Sequence, residues 1–254
     1  MIAKNKISEV RQLHQKKVRD NLSLFIVEGT KSVCELLNSS MKVKELYASE
    51  KWIEEHEDLI SDKINIFIAS YSEMERMSNL KTPQEVLAVV FAPHFSIADI
   101  DDKLPLLVLD DIRDPGNMGT IIRTAEWFGF RQILCSETTV EFTNPKTIQA
   151  TMGSFCRIKL VYTNLPSFFK ARQNNSNVFG TFMEGTNIAE SLFPSDAIIV
   201  IGNESTGISE ENKPFINKRI HIPSPIVQGQ KAESLNASVA AAIVMYQYSL
   251  SLIK

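Results

Sequence analysis

The chain has 254 residues, 44% of them hydrophobic and 22% charged, which matches ordinary globular composition and excludes disordered and fibrous classes while leaving room for two modest domains. A formal net charge of −3 argues against wholesale coating of nucleic acid, yet Lys4, Lys6, Arg11, Lys16, Lys17 and Arg19 face only Glu9 and Asp20 near the start, so a local basic patch is permitted, as is a plain solvated helix face. The cysteines (Cys34, Cys135, Cys156) and histidines (His14, His56, His94, His221) lack metal-ligand or triad spacing, and no apolar run nears the roughly 18 residues of a membrane span; no metal, no membrane, reduced cysteines and a cytoplasmic location are expected.

Helical periodicity runs from Ile7 to about Lys17 and leads into the apolar strand SLFIVEG, closed by Gly29, and a helix from Thr30 to Leu37. VKELYAS and INIFIAS read as strands on either side of the helical KWIEEHEDLI, followed by a short helix in YSEMERMSNL and the strand EVLAVVFA. Pro93 to Pro105 is polar and acidic, as linkers are, which places a domain boundary near residue 100 and gives units 1–100 and 101–254. The second unit opens with LPLLVLDD, a near-continuous apolar run expected of a parallel strand buried on both faces. DPGNMG reads as a turn, and TIIRTAEWFG as a helix burying Ile121, Ile122, Ala125 and Phe128, with Gly129 as its C-terminal cap. RQILCS, FCRIKLV, NVFGTFM and DAIIVIGN continue as strands and NASVAAAIVMYQY as a helix, so the fold class is α/β with a largely parallel sheet. Within these strands Cys135 and Cys156 read as small buried hydrophobes rather than nucleophiles.

Each glycine-containing turn is weak evidence alone. GNESTG is not the GxGxxG of dinucleotide binding, and NMGTIIR lacks the lysine of a phosphate-binding loop, so a dehydrogenase or a nucleotide hydrolase loses ground. The ordered set of three segments is stronger. Residues 108–130 (VLDDIRDPGNMGTIIRTAEWFGF), 198–209 (IIVIGNESTGIS) and 221–243 (HIPSPIVQGQKAESLNASVAAAI) resemble, in order, the three motifs of SpoU-type (TrmH-like) RNA 2′-O-ribose methyltransferases of the SPOUT superfamily. More loosely, FIVEGTKSV and TPQEVLAVV are similar to the ribosomal-protein-like RNA-binding domain that many rRNA-modifying members carry.

The resemblance implies a trefoil-knotted methyltransferase domain after an N-terminal α/β RNA-binding domain, S-adenosyl-L-methionine as cofactor, RNA as substrate and a homodimer. It places Arg123, Asn117, Ser234 and Asn236 at catalytic positions and Gly202, Glu204, Gly207, Ile222 and Leu235 at cofactor positions. Glu204 suits the organisation of its loop better than ionisation in the chemistry. Ser234 and Asn236 are equally placed to cap the following helix, and Ala237, Ala240 and Ala241 give that helix a face for close packing. A guanidinium stays protonated, so Arg123 fits a phosphate clamp better than a base. SPIVQGQKAE separates the Ile-Pro pair from the Ser-Leu-Asn run more widely than in many members, which leaves the Ser224 to Lys231 loop without a transferable role. The separate N-terminal unit favours rRNA over tRNA; a tRNA enzyme and a non-catalytic RNA-binding protein are the alternatives.

Overall fold

In the computed structural model, which describes residues 1–172, 177–225 and 233–253, the first helical run is two helices, α1 (Lys4–Gln12) and α2 (Lys16–Leu22). The break is made by Arg19, only 3% exposed, whose guanidinium donates to the Leu13 and His14 carbonyls at 3.0 and 2.9 Å. There follow β1 (Leu24–Glu28), α3 (Thr30–Leu37), β2 (Val43–Ala48), α4 (Glu50–Glu55), β3 (Asn65–Ile68), α5 (Tyr71–Met77) and β4 (Val86–Phe91). Next come β5 (Leu106–Leu109), α6 (Pro115–Trp127), β6 (Gln132–Ser136), α7 (Pro145–Thr151), β7 (Lys159–Thr163) and α8 (Leu165–Ala171). The chain closes with β8 (Val178–Asn187), β9 (Ile198–Ile201), β10 (Lys218–His221) and α9 (Ala237–Ile253).

Three expectations are corrected. Pro115–Gly119 is the first turn of α6 rather than a separate turn: Asp114 caps it by accepting from the Asn117 amide at 2.8 Å, and Pro115 sits where no helical N–H is needed. Phe128 is the half-buried C-cap of that helix, its ring tilted against Tyr246, and Gly129 follows with φ +83° as the left-handed residue that ends it. Cys156 lies half-buried in a short 3-10 turn over Ser154–Arg157, ahead of β7 rather than in it. Cys135 is fully buried, and burial pushes its thiol up, which removes it as a nucleophile.

The described chain divides into two compact units. The first comprises Met1–His94 together with Glu141–Cys156, so residues that the sequence reading assigned to the second unit group here with the first. Its sheet has the order β1-β4-β2-β3, with β2 and β3 parallel and the other pairs antiparallel. Leu24, Ile26, Tyr47, Leu87 and Val89 from the sheet meet Ile7, Val10 and Leu13 from the N-terminal helical region in one core. The 141–156 excursion is held by Phe142 and Phe155, each edge-on to Phe25 at 5.9 Å between centroids, and by an Arg19–Glu141 ion pair at 2.6 Å.

The second unit holds a six-stranded sheet, order β10-β8-β9-β5-β6-β7, in which every pairing is parallel. β5 and β9 lie side by side with every residue buried, which is why their sequences are unbroken apolar runs. From β5 the chain builds outward through β6 and β7, then returns to the opposite side as β8 and β9, so the order reverses between β5 and β9. Open α/β sheets bind ligands at the carboxyl ends of strands where such a reversal splays the loops apart.

Candidate functional site

At that reversal point the carboxyl ends of β5 and β9 are joined by an Asp110 amide donating to the Ile201 carbonyl at 2.9 Å. Two aspartates end β5, and each ties down a different part of the segment that follows β9. Asp110, 3% exposed, accepts from the Ser209 amide and hydroxyl, both at 2.8 Å, and from the Asn212 side chain at 3.0 Å. Asp111 takes a left-handed backbone (φ +60°); its amide donates to Ser136 Oγ at 2.9 Å and its carbonyl accepts from Asn203 Nδ2 at 2.8 Å. Sequence reasoning did not single out these four residues, Asp110, Asp111, Asn203 and Asn212. The available signal was a pair of carboxylates closing an otherwise apolar strand, since a buried carboxylate demands donors.

The loop after β9 folds back on itself through paired backbone bonds between Asn203 and Gly207, 3.0 and 2.9 Å. Its two glycines are required for different reasons. A Cβ on Gly202 would stand 2.3 Å from the Gly207 carbonyl carbon and the Ile208 nitrogen, so the backbones close on each other where a side chain would be. Gly207 instead adopts φ +69° with nothing within 4 Å of where its Cβ would point, leaving open space beside flat backbone.

Glu204, at the exposed tip of this loop, draws all three segments together. Its Oε1 accepts from Asn117 Nδ2 at 2.7 Å, from Asn236 Nδ2 at 2.6 Å and from the Ala237 amide at 2.9 Å. Asn236 Nδ2 also donates to Asn117 Oδ1 at 2.9 Å, which fixes both amide orientations. The other end of Asn236 caps α9: Oδ1 accepts from the Ser238 amide and hydroxyl at 3.0 and 2.6 Å. A carboxylate at the first free N–H of α9 is also favoured by the helix dipole. Capping and site assembly therefore coexist in one residue. Ala237 and Ala241, buried on α9, serve the close packing expected of them, while Ala240 is half-buried.

The remaining sequence-predicted residues lie around this cluster or apart from it. Ser234 and Leu235 are exposed immediately before Asn236, Leu235 at 46%, and half-buried Ile222 directly follows β10. Arg123 is exposed on α6, six residues after Asn117; at 3.6 residues per turn the two side chains leave the helix about 120° apart, so Arg123 does not join the Asn117–Glu204–Asn236 cluster. Asp111 and Glu126, the two carboxylates that could have paired with it at the surface, are engaged elsewhere, Asp111 with Arg113 at 2.9 Å and Glu126 with Arg157 at 2.9 Å. Of the Ser224 to Lys231 loop, residues 226–231 lie outside the described residues. Among the described residues no cluster of His, Cys, Asp and Glu could hold a metal, and no helix is long and apolar enough to cross a membrane.

Residues 105–246 match the family model described as the SpoU rRNA Methylase family, and residues 4–88 match that of an MRM3-like substrate binding domain. The chain is 30% identical over 247 residues to the 23S rRNA (guanosine(2553)-2′-O)-methyltransferase RlmP of Bacillus subtilis, covering 96% of both chains. It is 25% identical over 298 residues to the mitochondrial rRNA methyltransferase 3 of Xenopus laevis, covering 91% of this chain and 70% of that one. Among solved structures, a TrmH-family protein from Porphyromonas gingivalis aligns with a TM-score of 0.86 at 31% identity, covering 98% of each chain. An AdoMet-bound rRNA methyltransferase from Sinorhizobium meliloti aligns equally, TM-score 0.86, at 26% identity over 97% of this chain and 95% of that one.

Proposed function

The chain belongs to the SpoU rRNA methylase family, and from this we infer that it is an S-adenosylmethionine-dependent RNA methyltransferase that methylates a ribose 2′-hydroxyl, with ribosomal rather than transfer RNA as its substrate. The observation that carries the reading is the meeting of all three motif segments at Asn117, Glu204 and Asn236, beside the reversal point of the parallel sheet. The rRNA preference is supported by the full-length similarity to an enzyme named for 23S rRNA and by a first unit matching a substrate-binding domain over residues 4–88.

The residues fit the cofactor. A flat adenine and a sulfonium need backbone donors and acceptors with apolar walls; Gly207 leaves open space beside its backbone, and half-buried Ile222 and exposed Leu235 are the apolar side chains that would supply the walls. Gly202, Glu204, Gly207, Ile222 and Leu235 would hold it; when bound, it supplies a methyl group already activated on sulfur. Asn117, Ser234 and Asn236 orient the nucleotide. Arg123 forks onto a phosphate beside the target ribose and holds the hydroxyl in line, while a phosphate oxygen or a nearby polar group takes the proton.

Arg123 diverges from Asn117 around α6, so a second copy of the chain completes the site. This dimer is supported by the apolar residues that the mutually packed α6 and α9 leave exposed, Trp127 at 82%, Tyr246 at 53% and Val239 at 46%. The crossing after β9, pinned by Asp110 and Asp111, is read as the family's trefoil knot, and the cytoplasm as the site of action. Mapping ribose methylation in rRNA and tRNA from cells with and without the protein tests the function. Loss of one rRNA 2′-O-methyl group is expected; loss confined to tRNA supports the tRNA alternative, and absence of any heat on titration with S-adenosylmethionine supports a non-catalytic RNA-binding protein.

A further inference from the structure

A cleft of about 260 Å³ opens in the first unit where α1 packs on α5. Ser8, Arg11 and Gln12 line it from one face of α1, and Ser78 and Asn79 line it just past the end of α5. His14 and Gln15 complete the lining at the joint between α1 and α2. Packing fixes these walls: Ile7, Val10 and Leu13 share one core with Met74 and Met77, and His14 Nε2 donates to the Met77 carbonyl at 2.8 Å. The lining is wholly polar and contains no acid. Ser78 turns its hydroxyl to the Glu28 carboxylate, and Gln12 donates to Ser8 Oγ at 3.4 Å. Arg11, Gln15 and Asn79 are exposed, and among the described residues their side chains have no hydrogen-bond or ion-pair partner. Cations to either side are engaged, Lys6 with Glu45 and Lys16 with Asp20, each at 2.6 Å.

A guanidinium offers donors in a fixed fork that suits a phosphate, and a side-chain amide offers a donor and an acceptor together, as a base edge does. The cleft thus holds one free positive fork beside free amides. Proteins read RNA sequence mainly through unpaired nucleotides, whose bases leave the stack and are bonded along their edges. All the lining residues fall within residues 4–88, the span that matches a substrate binding domain, which makes RNA the occupant. We propose that this cleft receives one unpaired nucleotide of the substrate RNA, with Arg11 neutralising its phosphate and the amides of Gln15 and Asn79 bonding its base. The proposal rests on the reading of the protein as an RNA methyltransferase and gives the first unit a defined contact with the strand. The competing explanation is a plain solvated helix face, which predicts no change in RNA binding when these side chains are removed.

The test is the salt dependence of binding to a fluorescent single-stranded RNA of mixed sequence, comparing the full chain with its variants. Each phosphate contact on a single strand contributes about 0.7 to the slope of log K against log salt, so R11Q should be shallower by about 0.7. If the two lines meet near 1 M salt, this is roughly a 5-fold loss of affinity at 0.1 M. R11K, which keeps the charge, should keep the slope. K16Q removes a cation that lies outside the cleft and is already paired with Asp20, so it should leave the slope unchanged. The Q15A/N79A variant loses two neutral hydrogen bonds and should bind about 10-fold more weakly at an unchanged slope. Since Arg11, Gln15 and Asn79 hold nothing else in place, all variants should melt as the parent chain does. An unchanged slope in R11Q overturns the proposal, as does an equal change in K16Q, which would mean that overall charge governs binding. Full affinity in Q15A/N79A also overturns it, because no base then lies in the cleft. Absence of calorimetric heat when the unaltered chain is titrated with S-adenosylmethionine would instead count against the methyltransferase reading, and the slope comparison would still decide the cleft.

Discussion

Replacing Gly202 by alanine places a methyl group 2.3 Å from two backbone atoms, the Gly207 carbonyl carbon and the Ile208 nitrogen. Carbon contacts are comfortable only near about 3.5–4.0 Å, so the facing backbone must retreat by more than an ångström. If the loop holds, overpacking costs about 1–3 kcal/mol. If it opens, the Asn203–Gly207 pair of bonds is lost, at about 1 kcal/mol each. Either route predicts a penalty of about 2 kcal/mol, which appears as roughly a 30-fold loss of S-adenosylmethionine affinity once the loop geometry is disturbed. Gly207→Ala should cost less, about 1–2 kcal/mol, because its φ of +69° is strained for a side chain but the space is empty. Calorimetric titration of both variants, with thermal denaturation to separate binding from folding, reads the difference. Cofactor binding by Gly202→Ala at wild-type strength, or a larger loss at Gly207 than at Gly202, refutes the steric argument.

Arg123→Ala should reduce methyl transfer by about 100-fold, as misplacement of a reacting group does, while leaving cofactor affinity unchanged; single-turnover assays with labelled cofactor measure this, and Arg123→Lys should restore little because a point charge cannot fork. Glu204→Ala and Asn236→Ala remove two ends of one hydrogen bond at 2.6 Å, so a double-mutant cycle in urea should show a coupling of about 0.5–1 kcal/mol, and strict additivity would mean that the contact is absent in solution. Glu73 is buried, and the Ser70 amide, the Ile2 amide and the Ser70 hydroxyl, in that order, hold its carboxyl at about 2, well below the ordinary 4.5. A lowered folded-state value means that its stabilising contribution is present above about pH 4.5 and disappears as the pH falls toward 2. Urea midpoints in that window should fall less steeply for Glu73→Gln, which should also be the less stable protein at neutral pH. Trp127→Asp should shift sedimentation toward a monomer if the exposed α6–α9 face is the dimer seam, and an unchanged profile removes that face from consideration.

The sequence alone determined the elements whose causes are local. The unbroken apolar run in LLVL announced a strand buried on both faces, as β5 is, IIVI announced the strand β9, and Ser234 and Asn236 before a run of alanines announced a cap for α9, which Asn236 supplies. Even the misread DPGNMG held its signal, because Asp followed by Pro is both a turn and a capped helix start, and only the helix continues into Ile121 and Ile122. The break between α1 and α2 was not legible, since it depends on where a buried Arg19 finds carbonyls. Nor was the grouping of residues 141–156 with the first unit, which rests on Phe25 and Arg19, more than a hundred positions away. Motif order named the residues Asn117, Glu204 and Asn236, but their meeting spans 87 and 32 positions. That meeting, and the divergence of Arg123 from it, became visible only in the tertiary structure. Periodicity and capping act over one or two turns of chain, whereas the approach of these loops is set by which strands lie side by side, and nothing in a strand's own residues states which neighbour it will take.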